Sequence, residues 1–244
     1  MSVLLLGGTS EARELAALLV ERDIPVLSSL AGRVARPRLP AGPVRIGGFG
    51  GVDGLRSALA DHDLVVDATH PFARGMSANA EAACQSEGVP LLRLERPGWA
   101  VRPGWEVVPT HEAAAARASR AAAPLLTVGR QELARYLPAL ERSSVLARVV
   151  DDPDLTLPPT WRVVLSRGPY TLDSELELMR EHGTDLLVTK NSGGTYTWPK
   201  MAAAEDLGVP VVVIARPAPT AAVPVVDSVT DALAWVQHRI EPQS

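Results

Sequence analysis

Long apolar runs, an excess of basic charge, paired cysteines and metal-ligand clusters are all missing from this chain, and each absence narrows what it can be. A single cysteine, Cys84, in 244 residues excludes an intrachain disulfide. No Cys/His cluster has metal-ligand spacing, so no metal site is predicted. No apolar run is long enough to span a membrane and no signal peptide precedes the first strand, so a soluble cytoplasmic protein is expected. Lys and Arg number 24 against 28 Asp and Glu, a formal charge of −4, which argues against a nucleic-acid protein held by bulk charge. Aromatic residues make up only 4% while hydrophobic ones reach 46%, so the core must be built from Val, Leu and Ala. No Ser/His/Asp arrangement or nucleophile elbow appears, and covalent catalysis has no support.

What is present begins at once. Val3–Leu6 is an unbroken apolar run, the pattern of a strand buried on both faces of a parallel sheet. Gly7 and Gly8 make a tight turn, Thr9 or Ser10 can cap a helix, and Ala12, Leu15, Ala16 and Leu19 recur at helical spacing. Strand, glycine turn and helix N-terminus put backbone N–H groups at the sheet's carboxyl edge, where such folds bind an anion, usually a phosphate. The G-x-G-x-x-G dinucleotide pattern is not met. Thr9 stands at the middle glycine's place, Ala12 at the last, and Glu11 adds a negative charge near the expected pyrophosphate.

Further strands are predicted at Ile24–Leu27, Val44–Ile46, Leu64–Val66 and Pro90–Leu94, with Asp53 as a cap for a helix through Leu55 and Leu59 and another helix through Met76, Ala80 and Ala83. Alternating strands and helices mean α/β architecture with a parallel sheet. The second half repeats this order. Gly88-Val89-Pro90 with Arg96-Pro97 matches Gly208-Val209-Pro210 with Arg216-Pro217, and Asp63–Val66 matches Asp185–Val188. Val107-Val108 before an Ala-rich helix answers to Val225-Val226 before the helix from Thr230 to Ile240. The expectation is two similar doubly wound Rossmann-like lobes, residues 1–121 and 122–244, with their parallel sheets facing one cleft.

The loops at the predicted strand ends differ by lobe. In the second they carry Arg130, Arg167 and Lys190, one cation on each of three adjacent loops, which suggests an anionic ligand. In the first, an NAD site would need an acid after the second strand to bond the ribose 2′-hydroxyl. This chain offers Ser28, Ser29 and then Arg33, with no acid until Asp53, a set better suited to a 2′-phosphate and hence to NADP(H). His70, in Asp67-Ala68-Thr69-His70-Pro71-Phe72, titrates near neutrality and could shuttle a proton, or could simply hold the turn. His62, His111, His182 and His238 carry no signal.

Taken together, Gly7–Arg13, Ser29–Arg33, Gly47–Gly51, Asp67–Phe72, Val128–Arg130, Ser166–Pro169 and Thr189–Gly194 resemble the precorrin-6A reductase family of cobalamin biosynthesis, over nearly the whole chain. Glu11 belongs to that family's own pattern. The resemblance implies an NADPH-dependent oxidoreductase that reduces one double bond of precorrin-6A to give precorrin-6B. It implies NADP in the first lobe, against Gly7, Gly8, Thr9, Ser10, Glu11, Ala12, Ser28, Ser29, Ala31, Gly32, Arg33, Gly48, Phe49 and Thr69. A tetrapyrrole with many carboxylates would then meet Arg130, Arg167, Asn191, Ser192, Gly193 and Gly194, with the proton coming from Lys190, His70 or water. No nucleic acid or membrane partner is expected, while hand-over to neighbouring pathway enzymes would fit such a role. Three rivals stand beside this reading: a cobalt-containing substrate, a non-enzymatic NADP sensor, and a cofactor-free enzyme like uroporphyrinogen III synthase.

Overall fold

The computed structural model describes residues 1–32, 37–218 and 223–240, and these form two six-stranded sheets in which every pairing is parallel. The chain opens with β1 (Val3–Leu6), α1 (Ser10–Glu21), β2 (Val26–Leu30), β3 (Val44–Ile46), α2 (Val52–Leu59), β4 (Leu64–Asp67), α3 (Arg74–Glu87) and β5 (Leu91–Leu94). It continues through β6 (Trp105–Val108), α4 (His111–Ala118), β7 (Pro124–Thr127), a 3₁₀ segment (Arg130–Tyr136), α5 (Leu137–Leu140), β8 (Leu146–Val149) and β9 (Arg162–Leu165). It closes with α6 (Leu172–His182), β10 (Leu186–Lys190), α7 (Pro199–Asp206), β11 (Val211–Ile214), β12 (Val225–Val226) and α8 (Val229–Ile240).

The strand orders are β12-β5-β4-β1-β2-β3 and β6-β11-β10-β7-β8-β9. Replacing β1 to β5 by β7 to β11 converts one order into the other, so the repeat is real. Its division of the chain differs from the expected one at 121/122. One unit is Met1–Pro97 with the chain from Pro217 on, and the other is Gly98–Arg216. The physical reason is a reciprocal exchange. β6 follows the first unit's β5 in sequence but pairs with β11, and β12 follows β11 but pairs with β5. Their helices go with them: α8 packs on α1, and α4 on the 3₁₀ segment that stands in α1's place.

Alternation along β1 shows why an unbroken apolar run is needed. Val3 and Leu5 join Leu15, Leu19, Leu233 and Val236 on the face covered by α1 and α8. Leu4 and Leu6 join Leu55, Leu59, Ala80 and Ala83 on the face covered by α2 and α3. A strand clothed on both sides has no polar position to spare. In the other unit Leu125, Leu187, Val211 and Val213 pack against Met179 of α6 and Met201 of α7.

Two boundaries depart from expectation. β2 begins at Val26 and runs through Ser28 and Ser29 to Leu30. The Ile24 N–H closes α1 on the Leu19 carbonyl, and Pro25, which has no N–H, meets β1 only through its carbonyl, which accepts from Val3 N at 2.8 Å. Asp53 is not the cap of α2. The N-cap is Gly51, at φ 98°, and Asp53 sits in the first turn, where its charge favours the helix dipole. No described helix is long and apolar enough to cross a membrane.

Candidate functional site

In the first unit the carboxyl ends of β1, β2, β3 and β4 lie side by side, and the residues after them form one edge. Gly7 N–H bonds the Ser29 carbonyl at 2.9 Å. A side chain at Gly7 would meet Leu30 and Ala12 at 3.4 and 3.5 Å, so glycine and alanine here let β1, β2 and α1 close together. Gly8, at φ +122°, faces open space. Thr9 is the N-cap of α1. Its hydroxyl accepts from Ala12 N at 3.1 Å and donates to the Ala68 carbonyl at 2.8 Å, which ties the helix to the end of β4. Thr9 is therefore a brace at the middle glycine's place, with its side chain spent on the fold.

Glu11 is not a bare charge beside this turn. Arg96 donates to it at 2.8 Å and Ser10 at 3.1 Å. Burial opposes its ionisation, but the Arg96 guanidinium, the helix backbone and Ser10 together hold its carboxyl below the usual range. The objection that Glu11 would repel a phosphate loses its force once that charge is neutralised.

Asp67 is buried at the end of β4. One of its oxygens accepts from Thr69 N and Oγ1 at 3.0 and 2.7 Å, and the other pairs with Arg93. Thr69 thus has its side chain committed to Asp67. His70 accepts the Phe72 N–H on Nδ1 at 3.2 Å, so in the neutral ring Nε2 carries the proton. That bond holds the turn, one of the two roles open for this histidine.

At the ends of β2 and β3, Gly32 comes against the backbone of Gly47, 3.4 Å from where its side chain would be. Gly47 N–H bonds the Leu30 carbonyl, and Gly48, Gly50 and Gly51 all face open space. Ser28 Oγ is buried with no partner among the described residues. Ser29 Oγ accepts from Arg45 at 3.2 Å. Open glycines along this edge, an unsatisfied hydroxyl and a nearby guanidinium fit the phosphates of a nucleotide. Arg33 lies outside the described residues.

Arg45 and Gly54 were not among the predicted site residues. Arg45 looks like any polar residue on a short strand. Gly54 sits inside α2, where a side chain would come 1.7 Å from the Phe49 carbonyl, so its absence is what lets the Gly47–Gly51 loop fold onto the helix.

The second unit carries the cations, with one correction. Lys190 ends β10, Arg130 follows β7 and Arg167 follows β9, but β8 lies between β7 and β9, so the three loops are not all adjacent. The loop after β8 brings Asp151 and Asp152, and Arg130 bonds the Asp152 carbonyl at 3.3 Å. Lys190 Nζ lies 3.7 Å from the side-chain position of Gly129, the counterpart of Gly8. His111 opens α4 nearby. It shares a hydrogen bond of 3.0 Å with Tyr136 Oη, and burial lowers its pKa, Glu132 working against that and Lys190 with it. Proximity to Lys190 is the signal that sequence reasoning lacked for this histidine.

Asn191 is used by the fold. Its side chain accepts from Trp99 N at 2.8 Å and donates to the Trp99 carbonyl at 3.1 Å. Ser192 N–H closes a tight turn on the Lys190 carbonyl at 2.7 Å, and Gly193 and Gly194 continue it at φ 65° and 74°. The Gly194 carbonyl accepts from Trp99 Nε1 at 3.0 Å. Asn191 therefore shapes the loop, while Lys190 and the glycines form its outline. Among the described residues no three His, Cys, Asp or Glu side chains are grouped to hold a metal. Cys84 is buried in α3, and burial with the Asp67 charge pushes its thiol up to about 12, which leaves it inert.

Comparison with known proteins agrees with this arrangement. Residues 2–237 match the family model described as precorrin-6x reductase CbiJ/CobK. The chain is 47% identical to a precorrin-6A reductase of Rhodococcus erythropolis, over 96% of each sequence. It is 50% identical to one from Mycobacterium tuberculosis (strain CDC 1551 / Oshkosh), again over 96% of each. A solved structure described as CobK precorrin-6A reductase superposes with a TM-score of 0.91 at 39% identity, covering 98% of this chain and 97% of that one.

Proposed function

The chain belongs to the precorrin-6x reductase family, oxidoreductases of cobalamin biosynthesis, and from that premise we propose that it reduces a double bond of precorrin-6A with NADPH, giving precorrin-6B. The relatives named above are precorrin-6A reductases, which supports the metal-free substrate over its cobalt complex.

The observation that carries the cofactor reading is the end of β2. From Ile24 to Val52 the chain has no Asp or Glu, so nothing there can bond a ribose 2′-hydroxyl as an NAD site does. Ser28, Ser29 and Arg33 instead suit a 2′-phosphate. NADPH, when bound, supplies the hydride. The residues of this chain do the rest. Gly7, Gly8, Ser10 and Ala12 let the pyrophosphate reach the backbone N–H groups at the start of α1, with Glu11 held aside by Arg96. Ala31, Gly32, Gly48 and Phe49 border the adenosine end, and Thr69 braces the edge through Asp67.

In the second unit Arg130 and Arg167 bind carboxylates of the tetrapyrrole, and Ser192, Gly193 and Gly194 give its flat edge a close backbone. Lys190 holds the proton on Nζ that the reduced carbon takes up. His70 holds its turn through Nδ1 and, with the proton on Nε2, is the second proton source after Lys190.

Titration of the protein with NADPH and NADH, followed by fluorescence, tests the cofactor. NADPH is expected to bind more tightly, and Arg33→Ala to weaken it about 10- to 100-fold with NADH little changed. Equal binding of the two cofactors by the wild type would reject the NADPH reading. Turnover with precorrin-6A then separates an enzyme from a mere NADP sensor.

A further inference from the structure

We propose that Arg45, acting from β3, reads the 2′-phosphate of the cofactor together with Ser29. The inference rests on the NADPH reading above and adds a specificity residue to it.

β3 lies beside β2 in parallel register, with Arg45 opposite Ser29. The half-buried Arg45 side chain turns onto that edge. Its Nη1 donates to Ser29 Oγ at 3.2 Å and to the Gly47 carbonyl at 3.1 Å, and Nη2 donates to the Gly48 carbonyl at 3.3 Å. The Phe49 ring lies under the guanidinium, 3.9 Å from Cζ.

Three features separate this group from an ordinary surface arginine. First, every one of these partners is neutral. Elsewhere in the same unit Arg93 and Arg96 are each cancelled by a carboxylate, whereas Arg45 keeps its whole charge at the strand edge. Second, its orientation is already fixed by two carbonyls, a hydroxyl and a ring, so little side-chain entropy remains to be lost when an anion arrives. Third, donors are left over. A guanidinium has five N–H groups and the bonds above use three, leaving Nε–H and one on Nη2, neighbours on a fork that matches two phosphate oxygens. Ser29 accepts from Arg45, so its own proton is free to donate to the same anion.

The alternative is that Arg45 only laces the Gly47–Gly48 backbone to β2. The two roles differ in what they do to ligands with and without the 2′-phosphate. The full-length protein is titrated with NADPH, NADH and adenosine 2′,5′-bisphosphate, by fluorescence and calorimetry. Arg45→Met keeps an apolar stem over Phe49 and removes the donors. It is expected to weaken NADPH and the bisphosphate about 10- to 100-fold while NADH binding stays as in the wild type. If Arg45→Met proves too unstable to titrate, Arg45→Lys carries the same test. It keeps the charge without the fork and should lose part of the NADPH preference.

Equal losses for NADPH and NADH would make Arg45 a loop brace and overturn the proposal. A full NADPH preference surviving in the variant would also overturn it, leaving Arg33 and the serines as the readers. Both outcomes leave the NADPH reading standing. A wild type that binds NADPH and NADH alike would remove the proposal and that reading together.

Discussion

Lys190, Arg130 and Arg167 look alike in a charge count and differ in chemistry. Lysine is a movable point charge that can give up a proton, whereas arginine stays charged and grips a carboxylate with two parallel bonds. Lys190→Ala is therefore expected to lower kcat by about 10²–10⁴, the usual worth of a general acid. Arg130→Ala and Arg167→Ala should chiefly raise KM, because their contacts are the same before and during the reaction. Steady-state kinetics distinguishes these, and a Lys190→Ala enzyme with normal kcat would move the proton source to His70 or solvent. Glu11 gives a pH test. Its folded-state pKa is depressed, so its pairing with Arg96 stabilises the fold fully above the unfolded value of about 4.3 and less as pH falls through the folded one. Wild type should melt above Arg96→Met at neutral pH, by no more than about 1 kcal/mol for a partly exposed pair, and the gap should close in acid. A gap that persists below pH 3 or so would mean Arg96 acts through packing instead. Residue types with unusual chemistry, such as the serine pair and Lys190, one of two lysines in the chain, were legible in the sequence. Thr9 as the cap of α1 was legible too, but its bond to the Ala68 carbonyl and the uses of Asn191 and Arg45 were not, since each depends on a partner far away in the chain or across a strand pair.

Helix α2 shows how an element can depend on an atom that is not there. Alanine normally favours a helix over glycine by about 1 kcal/mol. At Gly54 the added carbon would sit 1.7 Å from the Phe49 carbonyl, so Gly54→Ala should instead destabilise by about 1–3 kcal/mol. At about 2–4 °C per kcal/mol this is a visible loss in a thermal melt, and NADPH binding should weaken with it as Phe49 shifts. A rise in melting temperature would show that the loop yields at no cost. Strand and helix types could be read from the apolar periods, because β1 is clothed on both faces and has no polar position, while its neighbours β2 and β4 turn polar only toward their carboxyl ends, at Ser28, Ser29 and Asp67. The 3₁₀ segment Arg130–Tyr136 was harder. It stands where the repeat puts α1, and Pro138, lacking an N–H just beyond it, helps divide that stretch from α5.

At the scale of the whole molecule, the two-fold repeat was readable from segments that match in the same order, but their assignment to units was not. β6 and β12 have the same neighbours in sequence whether or not they are exchanged, and only pairing across the sheets decides. The exchange predicts which pieces can stand alone. Residues 98–216 hold six complete strands and are expected to melt cooperatively when expressed by themselves, as followed by circular dichroism. Residues 1–121 lack β12 and α8, whose Val229, Ala232, Leu233 and Val236 cover the α1 face. Burial of a Val or Leu is worth about 1.5–3 kcal/mol and a domain is stable by about 5–15, so this piece should fail to fold. A cooperative melt from residues 1–121 would refute that assignment. The exchange also sets an order in time during synthesis. The unit that leaves the ribosome first is the last to be finished, because Gly98–Arg216 intervenes. At about 5–20 residues per second, those ~120 residues hold the bare flank of α1 open for roughly 6–24 s, time in which a chaperone or a second nascent chain can reach it before α8 does.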